Sequence, residues 1–287
     1  MENGIVKAAL ETSNNILLEI YGDLLKPGVS QVGQAIGTLL GYGNTILMPL
    51  ALKNERSKIT IENNLNKYKQ KLEAVPEENI QAVMPEIGVP ILEKLMYISD
   101  EILVELYTEL LTKASDKEKC KYTHPSFVNI INNISPKEAK ILEKIDRSLI
   151  AFVDVNIVSE NNVHPCEKIS ELALDDNFYD ENITAYLSNL LGLGLIDVNT
   201  ERKLKDLHKY ELLEEKIKNI YSKAPLVFGT DVLSTSMKQG NLSFNHGSIS
   251  ITSFGELFLA ACTEKERGLE IYNILHKYKH LSEDIYG

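Results

Sequence analysis

The sequence has no tryptophan, few aromatic residues and only three cysteines, and each shortage excludes a class of protein. Cys120, Cys166 and Cys262 are too few and too scattered for a disulfide framework, so a reducing compartment is expected. Aromatic residues make up 7% of the chain, too little for a base-stacking platform that binds single strands. Only 30 Lys and Arg stand against 41 Asp and Glu, which argues against nonspecific coating of nucleic acid.

Several familiar sequence signals are missing as well. No basic segment followed by an apolar run opens the chain, so we do not expect a secretory signal. A cytoplasmic location is expected instead. The phosphate-binding pattern GxxxxGK, the nucleophile pattern GxSxG and the zinc pattern HExxH do not occur. We therefore predict a protein that is not an enzyme and that has no cofactor, and no small-molecule substrate is evident. The 287 residues suffice for about two domains.

A long stretch without any charged residue dominates the N-terminal part. It covers residues 27–52 and follows a predicted amphipathic helix over 5–25. Three of its glycines, Gly33, Gly37 and Gly41, recur at every fourth position and would form a smooth helix stripe that another backbone can approach closely. Gly43 is a further candidate for membrane interaction or self-association. The stretch is long enough to span a bilayer, but polar residues interrupt it. A buried helical hairpin and a membrane-interacting or self-associating segment both remain open interpretations.

The next segment, 53–73, is predicted to be a basic amphipathic helix. Its apolar residues leave one hydrophobic side, and its cations outnumber the nearby acids: Arg56, Lys58, Lys67, Lys69 and Lys71. Such a helix suits an anionic lipid surface. The solvated face of a soluble helical bundle is the other interpretation.

The remaining sequence predicts a mainly α fold in two parts. A helical domain over 1–134 includes a helix behind the capping sequence 99–101. A capping box at 135–138 opens a second domain, 135–287. It is predicted to contain helices at 164–174 and 181–191, a stretch at 191–198 that turns through glycine into a short strand, a charged helix at 201–222, a strand at 247–252 and a closing helix. That order is typical of a winged-helix-like α+β module.

The helix at 181–191 takes the place of the recognition helix in a winged helix. Its polar residues carry no positive charge: Asn182, Thr184, Ser188 and Asn189. Because phosphate neutralisation is the main source of DNA affinity, DNA binding is disfavoured. We predict that this helix contacts protein or only completes the fold.

Scattered ligand-type residues do not assemble into a convincing metal site. Four residues would supply the number of ligands that zinc requires, but their spacing in the sequence is not that of a familiar zinc site: Cys120, His124, His164 and Cys166. His276 and His280 share a helix face without a third ligand, and the acids at 175, 176 and 180 are interpreted as a solvated loop and a helix cap. No metal site is predicted.

Short motifs along most of the chain resemble the Abi-alpha (abortive infection alpha) family. They are GQAIG at 33–37 with Pro49 and Leu50, VPEENI at 75–80, residues 85–95 and 106–111, HPSF at 124–127, SPKEAKIL at 135–142, TSFG at 252–255 and the tail at 258–262. The resemblance implies a bacterial antiphage or prophage-linked role. The motifs are packing and capping motifs, and the resemblance carries over no catalytic residue.

Together these observations predict a non-enzymatic abortive-infection-type defence effector or sensor. The segment 27–52 would act by membrane interaction or self-association, with a protein partner or an anionic membrane surface as the expected partner. A peripheral position at the inner face of the cell membrane is then compatible with a cytoplasmic protein. A winged-helix DNA-binding regulator and an enzyme with a cryptic site are the alternatives.

Overall fold

The protein is described by a computed structural model over residues 55–145, 149–157, 168–172, 180–223 and 242–264. These residues belong to two compact units. The helical unit contains 55–139 and 257–264, and the α+β unit contains the described residues between 140 and 256. The domain boundary after residue 134 stays a prediction. The helix at 5–25 and the segment 27–52 lie outside the described residues.

The first part of the chain forms five α-helices and two 3-10 turns. They are α1 (Glu55–Leu72), a turn at Glu77–Asn79, α2 (Pro85–Leu95), α3 (Glu101–Ala114), a turn at Cys120–Tyr122, α4 (Ser126–Asn132) and α5 (Pro136–Ile145). No helix in the described part of the chain is long and apolar enough to cross a membrane.

Helix α3 lies at the centre of the helical unit. It begins where the sequence predicts, because Asp100 Oδ1 accepts hydrogen bonds from the backbone N–H groups of Ile102 (3.0 Å) and Leu103 (3.1 Å). Ten of its fourteen residues are buried. Such a helix is covered on almost all sides, so its charged residues require partners inside the fold.

Helix α1 packs against α2 and α3 through one apolar stripe. Ile61, Leu65, Tyr68 and Leu72 are each at most 2% exposed. Between them, Asn64 Nδ2 donates to the carbonyls of Leu95 and Ile98, both at 2.9 Å, which satisfies acceptors at the end of α2. The basic amphipathic helix predicted from the sequence is therefore present, with its apolar side buried in protein.

The α+β unit contains a four-stranded antiparallel sheet in the order β2-β1-β4-β3. The elements are β1 (Ile150–Ile157), β2 (Lys168–Leu172), α6 (Ile183–Gly192), β3 (Ile196–Asn199), α7 (His208–Lys223) and β4 (Leu242–Ile251), followed by α8 (Ser253–Cys262). The mainly α fold with a small α+β part is thus confirmed.

One prediction in this unit is wrong, and one strand was not predicted. The residues of β2 were predicted to be helical, because short apolar spacings do not separate a helix from a strand. Strand β1 was missed altogether. Two strands therefore stand between α5 and α6 where the winged-helix interpretation requires a helix, and the winged helix is not confirmed. The predictions of α6, β3, α7 and α8 are confirmed, and the strand predicted at 247–252 forms the end of β4.

Helix α7 covers one face of this sheet. Tyr210 is 1% exposed and belongs to a core formed with side chains of β1 and α7: Ala151, Val153, Val155, Leu213 and Ile217. Its hydroxyl donates to Gly247 O (2.9 Å) and accepts from Leu204 N (2.8 Å). These bonds fix the loop before α7 to the sheet.

Candidate functional site

A groove of about 690 Å³ in the helical unit is lined by several charged residues. Five of its lining residues contact one another and form what we call the ionic cluster: Lys71, Glu105, Glu109, Lys113 and Glu264. They come from α1, from α3 and from the residues that follow α8. The cluster thus connects three segments that are distant in sequence.

Lys71 is the outer cation of the cluster. Its Nζ lies 2.5 Å from Glu105 Oε1, 2.9 Å from Glu109 Oε2 and 2.9 Å from Glu264 Oε1. The Lys71 side chain is 16% exposed, whereas that of Glu264 is 78% exposed. One ammonium therefore binds three carboxylates, of which Glu264 remains mostly in solvent.

Lys113 is the inner cation, and its side chain is only 3% exposed. Its Nζ lies 3.1 Å from Glu109 Oε1 and donates to Ala260 O (2.7 Å) and Thr263 O (2.5 Å). These carbonyls belong to the C-terminal end of α8, where backbone acceptors have no partner within the helix. A cation at this position is also favoured by the helix dipole. Lys113 therefore caps α8 from the side.

Apolar contacts surround the inner part of the cluster. The ring of Phe258 on α8 meets Phe127 on α4 edge to face, with a centroid distance of 5.5 Å. Cys262 is fully buried beside them as a free thiol. Burial raises the pKa of this thiol well above its ordinary value, so it stays protonated and unreactive while α8 is docked.

The charges in the cluster hold one another in the ionised state. Burial alone would raise the pKa of Glu109, but the neighbouring Lys113 and Lys71 ammonium groups lower it below 4.5. Burial alone would lower the pKa of Lys71, but hydrogen bonds to three carboxylates raise it above its ordinary value. General acid–base catalysis needs a pKa near the working pH. The arrangement instead suits a structural link between α1, α3 and the residues that follow α8.

The three carboxylates also meet the geometric requirement for a cation site, since one oxygen from each lies within 4.8 Å of the others. The Lys71 ammonium contacts all three of them. The cluster thus already contains a cation that belongs to the chain itself.

The shifted pKa of Glu109 predicts acid sensitivity. A carboxyl whose pKa is lower in the folded state than the ordinary 4.5 stabilises the fold fully above that pH and loses its contribution as the pH falls through the lowered value. The melting temperature of the protein should therefore fall as the pH drops below about 4.5. In the Glu109→Gln variant this part of the acid dependence should be missing. Equal acid slopes for both proteins in thermal unfolding would contradict the assignment.

The basic residues predicted for a lipid surface have different environments along α1. Lys67 and Lys69 are half-buried, and Lys67 lines the groove. Lys71 is bound by carboxylates, so its charge is not free to face a lipid phosphate. Arg56 and Lys58 lie in the first turns of α1, and their side chains are outside the described residues. The glycines predicted to act in membrane interaction or self-association are outside them as well: Gly33, Gly37, Gly41 and Gly43.

The predicted interaction helix is α6. Asn182 just before it and Ser188 within it are exposed, whereas Thr184 and Asn189 are half-buried. Ser188 Oγ donates to the carbonyl of Thr184 (2.8 Å), a bond within the helix. A role in contacting protein stays a prediction.

The sequence-predicted ligand residues do not converge within the described part of the chain. His124 Nδ1 accepts from Ser126 N (3.1 Å) at the start of α4, and Cys120 Sγ lies 3.4 Å from Lys117 O. Asp180 Oδ1 accepts from Asn182 N (2.9 Å) before α6, as expected of a cap. The other candidates lie outside the described residues: His164, Cys166, Asp175, Asp176, His276 and His280.

Sequence reasoning missed the acidic residues and Lys113 of the ionic cluster. A signal was available, because Glu105, Glu109 and Lys113 recur every fourth position in a helix whose neighbouring residues are apolar. Charges at that spacing on a buried helix indicate internal partners. The third segment, with Glu264, had no comparable signal.

Comparison with known proteins gives one match at the level of a family. The profile of the family described as abortive infection alpha matches residues 60–262, which is more than half of the chain. No curated protein matches the chain. A solved structure of an uncharacterized protein from the hydrocarbon-degrading marine bacterium Alcanivorax borkumensis is 14% identical and covers 50% of this chain and 94% of its own. Its TM-score of 0.30 is too low to inform the fold or the function.

Proposed function

Because the chain belongs to the abortive infection alpha family, we propose that it is a non-enzymatic effector of defence against phage that acts through its uncharged segment 27–52. In this proposal the helical unit supports the segment 27–52. The acting step is the association of the glycine stripe with a membrane or with other copies of the chain.

The firm anchoring of α1 is the observation that supports separate roles for the helical unit and the segment 27–52. The chain passes from the uncharged segment into α1 after only a few residues. The later turns of α1 are fixed by buried apolar residues and by Lys71. Its beginning carries Arg56 and Lys58, and Ile59 is 57% exposed there. Basic and apolar groups together suit an anionic lipid surface, so the beginning of α1 is the part that would face the membrane.

The ionic cluster supports the non-enzymatic part of the proposal. Its two cations and three carboxylates form ion pairs at distances of 2.5–3.1 Å. The shifts of Lys71 and Glu109 move both pKa values away from neutrality. A catalytic acid or base would require the opposite shift.

Substitutions in the glycine stripe test the proposed action. Gly37→Leu and Gly41→Leu should abolish phage protection and reduce dye release from anionic liposomes, because leucine keeps two helices apart where glycine lets them touch. A packing loss of about 1.4 kcal/mol corresponds to a tenfold loss of association. The measurements are plaque counts, liposome flotation and dye release with the full chain.

The matched control is Ala35→Leu, which adds the same bulk on the opposite side of a helix through this segment. It should retain protection and dye release, and all three variants should melt at the wild-type temperature. Normal protection by the folded Gly37→Leu and Gly41→Leu variants would refute the proposal. So would a wild-type protein that neither binds nor permeabilises liposomes and stays monomeric.

A further inference from the structure

The docking of residues 257–264 combines a short apolar face with polar bonds to two lysines. Three consecutive buried residues of α8 are small: Ala260, Ala261 and Cys262. Hydrophobic stabilisation scales with the apolar area that is buried, so Phe258, Leu259 and the half-buried Leu257 provide most of it. The two lysines of the ionic cluster supply the remaining attachment, Lys113 from inside and Lys71 through Glu264 from outside.

The ionic part of this attachment can open without leaving a buried charge unpaired. When Glu264 departs, Lys71 keeps Glu105 and Glu109 as partners. Lys113 likewise keeps Glu109. Glu264 is already 78% exposed, so it gains hydration at little cost. Loss of a partner from a buried pair is normally expensive because it strands a charge. Here each lysine keeps a carboxylate, and the cost is limited to the two carbonyl acceptors that Lys113 gives up.

We propose that the contact between Lys71 and Glu264 is a latch that keeps residues 257–264 docked in the resting protein. Opening of the latch releases the end of α8 and exposes Phe127 and Tyr107, which are at most 1% exposed in the closed state. The released state is the active one. This last step rests on the proposed function, whereas the opening itself does not.

Alkylation of Cys262 by iodoacetamide measures the opening, since this thiol is fully buried while α8 is docked. Peptide mapping of the labelled full chain separates Cys262 from Cys120 and Cys166. In Glu264→Gln the labelling rate should rise about two- to fivefold, the range expected for one exposed ion pair. In Lys71→Met it should rise about tenfold or more, because three neighbouring carboxylates then repel one another.

Lys69→Met is the matched control, since Lys69 is a half-buried lysine of the same helix that lies outside the ionic cluster. It should label at the wild-type rate. Circular dichroism checks that each variant is folded, and the surface variant Glu264→Gln decides the question if Lys71→Met does not fold. Unchanged Cys262 labelling in folded Glu264→Gln would overturn the latch.

A growth assay without phage tests whether opening activates the protein. Cells that express Glu264→Gln should grow more slowly than cells that express wild type or Lys69→Met. Faster labelling with normal growth and normal protection would refute the regulatory role. The two proposals fail separately, because Gly37→Leu reports on the acting segment and should leave the labelling rate of Cys262 unchanged.

Discussion

Replacement of Glu109 by glutamine lowers the free energy of unfolding at pH 7 by about 3–5 kcal/mol. Glu109 is the only carboxylate in the ionic cluster that contacts both lysines, at 2.9 Å from Lys71 and 3.1 Å from Lys113. Without its charge, Lys113 remains 3% exposed beside a neutral amide. A buried ammonium without a counter-charge is among the most destabilising changes in a protein interior. Urea unfolding of the full chain, followed by circular dichroism, measures the loss.

Glu105→Gln is the control for this prediction. Glu105 also binds Lys71, but its side chain is 43% exposed, and Lys71 keeps two other carboxylates when it is removed. Its loss should lower the free energy of unfolding by less than about 1 kcal/mol. If the two variants were equally stable, the cluster would stabilise the fold only through its overall charge. The prediction that Glu109 stabilises it most, because it contacts both lysines, would then be refuted.

Gly255→Ala is expected to destabilise the α+β unit by about 1–3 kcal/mol. An added Cβ would lie 2.1 Å from Leu195 O and 3.0 Å from Leu195 C, inside the contact limits of backbone atoms. The same glycine donates its N–H to Thr252 Oγ1 (2.9 Å), and Thr252 is bonded to Leu195 O through its own N–H (3.0 Å). The backbone on both sides is thus fixed and cannot move away.

Gly192→Ala provides the comparison, because an added Cβ there meets nothing within 4 Å. Gly192 ends α6, and alanine has the higher helix propensity by about 1 kcal/mol. This variant should melt at or slightly above the wild-type temperature, and Gly255→Ala should melt clearly below it. Differential scanning calorimetry of the two variants measures both effects, and similar melting temperatures would contradict the close approach at Leu195.

Local signals in the sequence identified most helices of the fold. The capping box is a clear case, since Glu138 N donates to Ser135 Oγ (3.3 Å) and Ser135 N donates to Glu138 Oε2 (2.6 Å). Both partners lie within one turn, so the pattern contains the whole interaction. Asp100 and Asp180 are predictable for the same reason.

Interactions between distant segments were not predictable in this way. Strand β1 pairs with β4 from Ile150 opposite Ile249 to Ile157 opposite Leu242, and nothing local to β1 specifies that partner. The ionic cluster has the same character. The spacing of charges in α3 indicates internal partners, but it does not say which lysine or which terminal helix supplies them.

The long reach of Lys113 has a consequence for synthesis of the chain. Its acceptors on α8 lie 147 and 150 positions further along the sequence. A ribosome must therefore deliver the whole α+β unit before the first unit receives its final segment, and domains generally begin to fold during translation. Until then Phe127 lacks its ring contact with Phe258, and Lys113 lacks its two carbonyl acceptors. A nascent chain that stalls within the α+β unit would present the uncovered side of the helical unit to chaperones and proteases.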